Sequence, residues 1–226
     1  MQGYLVYFKM TTLIKECVAV EYDHIGRVYV FNDGARYHSV TTMLSATGNK
    51  DAIRRWRARV GDKEADRISS VASYLGEQYH LLGEHYLKGT HPPRVNIISK
   101  HIFENSTRHL LDKYVTGVVA VEDTLYTEKY RLAGRADAIV MWKGELAVFD
   151  FKLLNSENKQ YLADYWIQTS VYAHCWAEMH GVLPQKLVLV VGNKNTLCTT
   201  HYESTLKKHT TNMNYRIYQF NSMLGN

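Results

Sequence analysis

Asp137, Asp150 and Lys152 are the residues whose types and spacing carry the most chemistry. Between the two aspartates, Lys143-Gly144 fits a two-residue hairpin turn. In that register Asp137 lies directly opposite Asp150, with Cβ atoms about 5 Å apart, and Lys152 points to the same face as Asp150. Each aspartate has apolar neighbours: Ala136, Ala138 and Ile139 on one strand, Val148, Phe149 and Phe151 on the other. Burying like charges this close is unfavourable unless something positive sits between them. A divalent cation with oxygen ligands is the natural answer, and Mg²⁺ often uses only one or two carboxylates plus waters. Lys152 would then orient or activate a metal-associated water, or steady phosphate charge. Spacing alone leaves other readings open. The aspartates could lie at solvent-facing strand ends, Lys152 could simply pair with Asp150, and an odd-length turn would put the aspartates on opposite faces.

Other residues could join them. Gly76, His80 and Glu84 lie at i, i+4 and i+8, one stripe of a long helical stretch. There His80 could offer an imidazole nitrogen to a metal, and Gly76 would let a strand or substrate approach closely. Gln168 and Tyr172 are i, i+4 on a later helix; the plain alternative for them is an ordinary polar face beside a core stripe of Leu162, Trp166, Ala173 and Trp176. Arg54, Arg55, Arg57 and Arg59 surround Trp56 on a short basic helix. They read as a solvated face or as phosphate contacts.

Taken together, these residues resemble the PD-(D/E)XK nuclease superfamily in its RecB-like exonuclease branch. The likeness rests on Gly76-x-x-x-His80, Gly134-x-x-Asp137, Asp150-Phe151-Lys152 and Gln168-x-x-x-Tyr172, in that order. Phage exonucleases and the mitochondrial genome maintenance exonuclease also resemble the run Tyr37 to Thr42 and the segment Trp56 to Gly61. The resemblance covers roughly Tyr37 to His180. It implies that His80, Asp137 and Asp150, with the Phe151 carbonyl, coordinate Mg²⁺ or Mn²⁺, and that Lys152 is the catalytic lysine. Gln168, Tyr172, Glu84 and Glu128 would support the site, and Ser39, Thr41, Arg54, Arg57 and Arg135 would guide DNA. The implied activity is metal-dependent hydrolysis of DNA from an end, with single-stranded ends preferred. A structure-specific or double-strand endonuclease on the same fold and a catalytically inactive DNA-binding module are the competing readings. Leu153 departs from the pattern, since many relatives carry a small hydroxyl residue after the lysine. The cysteine cluster of the iron–sulfur members is missing, so no iron–sulfur cluster is expected. No helicase motif is present, so unwinding would fall to a helicase or single-strand-binding partner.

The elements that must position these residues are readable from pattern. Val18–Tyr22 and Arg27–Phe31 form a hairpin around Asp23-His24-Ile25-Gly26, and Ser39–Thr42 leads into a short helix ending near Gly48. Helices are expected over Asp51–Val60, Asp62–Lys88 and from about Val95 to Tyr114, with Pro92-Pro93 as the clearest break. Strands follow over Val118–Tyr126, Tyr130–Met141 and Glu145–Lys152. Then come a helix from about Asn158 to His180, a strand Leu187–Val191 and a final helix from about Ser204. The expected fold class is α/β: a PD-(D/E)XK core with a central mixed sheet, an antiparallel meander, flanking helices and a helix-rich N-terminal half. A single domain over 1–226 is expected, with the hairpin and helical part in 1–115 and the catalytic sheet and C-terminal helices in 116–226.

Composition narrows the classes. The 226 residues carry 27 Lys+Arg against 22 Asp+Glu, a net charge of +5, with 46% hydrophobic residues. That is globular composition, and the mild basic excess permits a polyanion partner. No apolar run approaches the roughly 18 residues of a membrane helix, and Met1–Lys9 lacks the pattern of a signal peptide. The three scattered cysteines form no CxxC pair, which suits a reducing, cytoplasmic setting; the resemblance to phage exonucleases implies that this could be an infected host cell.

Overall fold

The computed structural model describes residues 15–22, 26–155 and 162–225, and the backbone of 6–7. The expected turn at Asp23-His24-Ile25, most of Met1–Lys9 and the helix start near Asn158 lie outside the described residues. The architecture is α/β, a mixed and mostly antiparallel open sheet with helices on both faces.

After β1 (Val6–Tyr7), the chain forms the antiparallel strands β2 (Cys17–Tyr22), β3 (Gly26–Phe31) and β4 (Arg36–Ser39). The helical part follows: α1 (Val40–Thr47), α2 (Lys50–Val60), α3 (Asp62–Leu87), α4 (Ile97–Ile102) and α5 (Arg108–Tyr114). The meander is β5 (Val115–Thr127), β6 (Leu132–Trp142) and β7 (Glu145–Leu154); then come α6 (Leu162–His180), β8 (Lys186–Asn193), β9 (Thr199–Thr205) and α7 (Leu206–Met223). Among the described residues, no helix is long and apolar enough to cross a membrane.

Two expectations need correction, and the strand Arg36–Ser39 was not anticipated, its four residues being too few to show a period. The stretch Val95–Tyr114 is not one helix: Asn96 caps α4, and a π-helical turn at Phe103–Thr107 separates it from α5. That turn is pinned by β9, where the Thr199 N–H donates to Ser106 Oγ at 2.8 Å and the Thr107 and Thr199 hydroxyls bond at 2.8 Å. β9 itself was not expected; its alternate residues are half-exposed and polar, so it shows no apolar run, and the last helix begins after it at Leu206.

The sheet runs β2-β3-β4-β6-β7-β8-β9, with β5 lying along the other edge of β6. Three of its seams are parallel, β1 to β5, β4 to β6 and β7 to β8. β8 is buried along nearly its whole length, as a parallel strand covered on both faces must be. Lys143 and Gly144 both have positive φ, 53° and 81°, the geometry of a type I′ turn, so the hairpin register is the expected one.

Packing explains the two layers. Val148, Ile139 and Leu187 face α1, α6 and α7, while Ala147, Phe149 and Phe151 face α3, α4 and α5. β6 is the pivot. β5 pairs with it throughout, but its other edge is shared: β4 meets Leu132 and Ala133, and β7 meets Ala138 to Trp142. Between those seams, Gly134 to Asp137 have no strand partner on that edge among the described residues. The sheet therefore forks, and Asp137 stands in the fork.

Candidate active site

β7 leaves β6 after the Ala138–Phe149 pair, so Asp137 and Asp150 lie one step beyond the last ladder pair, in register but unbridged. The Asp137 side chain takes over where the ladder stops. Its Oδ2 accepts the Phe151 backbone N–H at 2.6 Å and lies 3.0 Å from His80 Nδ1 on α3. Asp150 is 1% exposed, and its Oδ1 has no hydrogen-bond partner among the described residues. Its Oδ2 meets Lys152 Nζ at 2.5 Å as an ion pair. Lys152 also donates to the Phe151 carbonyl at 3.0 Å, and its Nζ lies 4.9 Å from the centre of the Tyr165 ring on α6. His80 comes from one face of the sheet and Tyr165 from the other. The fork is what lets groups from both faces meet.

Two glycines make this geometry possible. A Cβ at Gly83 of α3 would sit 2.3 Å from the Phe151 ring, and one at Gly134 of β6 would sit 2.7 Å from the Tyr172 hydroxyl. These are the close approaches that position the strand against α3 and α6. Gly76 was expected to serve a close approach; instead a Cβ there would meet nothing within 4 Å. It lines open space, because β7 packs two helical turns further along α3.

The carboxylates are tuned in opposite directions. Burial pushes Asp150 up to about 6, with Asp137 adding to the rise and Lys152 opposing it. Burial also works to raise Asp137, but His80, Lys152 and the Phe151 N–H outweigh it and hold that carboxyl below its usual range. His80 is raised: burial disfavours its cation, and Asp137 more than compensates. Lys152 is raised as well, because Asp150 and Asp137 overcome its burial.

A divalent cation fits this donor set, because Asp150 presents a buried carboxylate oxygen that no described residue satisfies. Among the described residues no three His, Cys, Asp or Glu side chains stand, as arranged, close enough to hold a metal. Lys152 and His80 occupy the carboxylates instead.

A cavity of about 570 Å³ opens beside Asp137, lined among others by Arg27, Thr41, Gly76, His80, Glu84 and Glu122. Glu122 is the residue that sequence reasoning missed. It stands between the bridged pairs Val121–Ala138 and Asp123–Ala136, in register with Asp137. Its φ is 59°, a left-handed conformation unusual for a non-glycine strand residue and common at strained functional sites. Burial pushes its carboxyl up to about 7, with Asp137 and Glu84 adding and His80 and Arg135 opposing. No sequence period signals it, since the kink that turns it into the cavity is an interruption of the period.

The remaining expected residues divide. Gln168 Nε2 donates to the Tyr172 hydroxyl at 3.5 Å, and Glu84 reaches the cavity while pairing with Lys88 at 2.8 Å. Thr41 lines the cavity, whereas Ser39 is buried as the N-cap of α1 and accepts the Thr42 N–H at 2.9 Å. Arg135 is exposed and 3.7 Å from Glu122. Arg54 is paired with Asp51, and Arg57 bridges Asp62 and Asp66, both at 2.8 Å. Glu128 sits exposed in the turn before β6, paired with Lys15 at 3.2 Å, and does not line the cavity.

No family model and no curated protein matches the chain. Among solved structures, the chain is similar to the crystal structure of SSO0001, with 18% identity and a TM-score of 0.38 over 76% of this chain and 70% of that one.

Proposed function

We propose that the chain is a divalent-metal-dependent DNA exonuclease with a PD-(D/E)XK core, acting preferentially on single-stranded ends. The observation that carries this reading is the meeting of Asp137, Asp150, Lys152 and His80 at one fork in the sheet, with a buried Asp150 oxygen left unsatisfied. Asp137, Asp150 and His80, with the Phe151 carbonyl, would hold Mg²⁺ or Mn²⁺. When bound, the cation would supply charge to offset that on the phosphate and ease deprotonation of a water. Lys152 would release Asp150 and turn its ammonium to the scissile phosphate and the attacking water. His80 and the Phe151 N–H fix the Asp137 carboxylate, and Tyr172 packs beneath β6 at Gly134. Arg135 and Thr41 would contact the strand's phosphates at the rim.

The test uses single-stranded DNA labelled separately at each end, with Mg²⁺ or EDTA, for the native protein and for Lys152→Ala and Asp150→Ala. Metal-dependent shortening of linear DNA, lost in both variants while circular single-stranded DNA stays intact, is the expected outcome. Cutting of the circle would turn the reading to an endonuclease. Metal-independent binding without cleavage would leave a DNA-binding module.

A further inference from the structure

Tyr165 opens a stripe on α6 that continues through Gln168 and Tyr172, at i, i+3 and i+7. Gln168 donates to the Tyr172 hydroxyl, and Tyr172 lies against Gly134. One turn earlier, the Tyr165 ring lies 4.9 Å from Lys152 Nζ. The ring is half-buried against the cluster of Leu162, Leu189 and Val191. The lysine is thus held from three sides: the Asp150 carboxylate, the Phe151 carbonyl and an aromatic face. The first two contacts are the ones that a bound cation would compete for. The ring is uncharged and keeps its grip when they are lost.

We propose that Tyr165 is a positioning residue for Lys152: its aromatic face holds the ammonium at the fork through the catalytic cycle. This rests on the nuclease reading above. A long flexible lysine freed from Asp150 would otherwise sample many rotamers. A desolvated cation–π contact limits that sampling, by an amount equal to about tenfold in rate. Only the ring is needed, so phenylalanine should serve as well as tyrosine.

Two readouts test it. In protein with ¹³Cε-labelled lysine, the Lys152 Hε signal, identified by its loss in Lys152→Ala, should be displaced upfield by the ring current. The displacement should persist in Tyr165→Phe and vanish in Tyr165→Leu. In cleavage assays, Tyr165→Leu should lower kcat about tenfold with KM for DNA nearly unchanged. Tyr165→Phe should keep kcat. If the leucine variant does not fold, Tyr165→Met replaces it with the same expectations. Native kcat in the ringless variant, equal loss in the phenylalanine variant, or an undisplaced Hε signal would each overturn the proposal. A native protein that cleaves no DNA overturns the nuclease reading and this role with it, and the Hε signal then still reports whether ring and amine touch.

Discussion

Replacing Glu122 with glutamine isolates a single charge. Both residues bear the same backbone cost at a φ of 59°, and they are nearly the same size. The difference lies in the carboxylate, which burial and its acidic neighbours raise from 4.5 to about 7. At about 1.36 kcal/mol per unit, that shift would be worth about 3.4 kcal/mol. The side chain is 19% exposed and faces Arg135 at 3.7 Å, so solvent screening reduces the figure to about 2 kcal/mol. The folded-state value lies above the unfolded one, so the stability tied to this proton is present at low pH and lost as pH rises through about 7. Glu122→Gln should therefore match the native protein near pH 4.5 and exceed it by about 2 kcal/mol near pH 8.5, or about 5 °C in Tm. Urea unfolding in EDTA across that range measures it. A variant whose advantage is independent of pH, or which is weaker than the native protein at high pH, would refute the reasoning.

The glycines give two further expectations, and the surface arginines a third. Gly83→Ala drives a Cβ into the Phe151 ring and should cost about 1–3 kcal/mol, whereas Gly76→Ala, in open space on the same helix, should stabilise by about 0.5–1 kcal/mol; denaturant unfolding separates them, and equal losses would contradict the packing described. Gly134→Ala should displace the Tyr172 hydroxyl and lower cleavage, with part of the loss restored in combination with Tyr172→Phe; no recovery in the double variant would show that the clash lies elsewhere. Arg57→Ala should leave single-stranded DNA affinity nearly unchanged, because Asp62 and Asp66 already neutralise it, while Arg135→Ala should weaken binding and flatten its salt dependence; the reverse ranking would move the DNA path onto α2.

The acid–acid–lysine set was legible because a two-residue turn leaves one register, and register fixes which side chains face each other. Helix α3 was legible from its long period, which put Gly76, His80 and Glu84 on one stripe. Two kinds of feature were hidden. β4 and β9 are short or half-polar, and their strand state is set by partners far away in sequence. Glu122 owes its place to a backbone kink, and Gly83 owes its importance to a ring on another element; neither leaves a local mark. The charge of the α2 arginines was legible, but not the acids Asp51, Asp62 and Asp66 that pair with Arg54 and Arg57.

The fork has a consequence for how the chain reaches its final state. The β6–β7 hairpin is local, and such hairpins form in microseconds. The parallel seam from His38 and Ser39 to Leu132 and Ala133 closes across the entire helical part, and contacts of that separation come late. Until that seam closes and α3 and α6 dock, Asp137 and Asp150 sit on a bare ribbon in water with ordinary acidities. On this order of events the unusual protonation behaviour of the cluster would be acquired at the last stage of folding, and refolding followed by the ionisation of these carboxylates would time the closure of the fork.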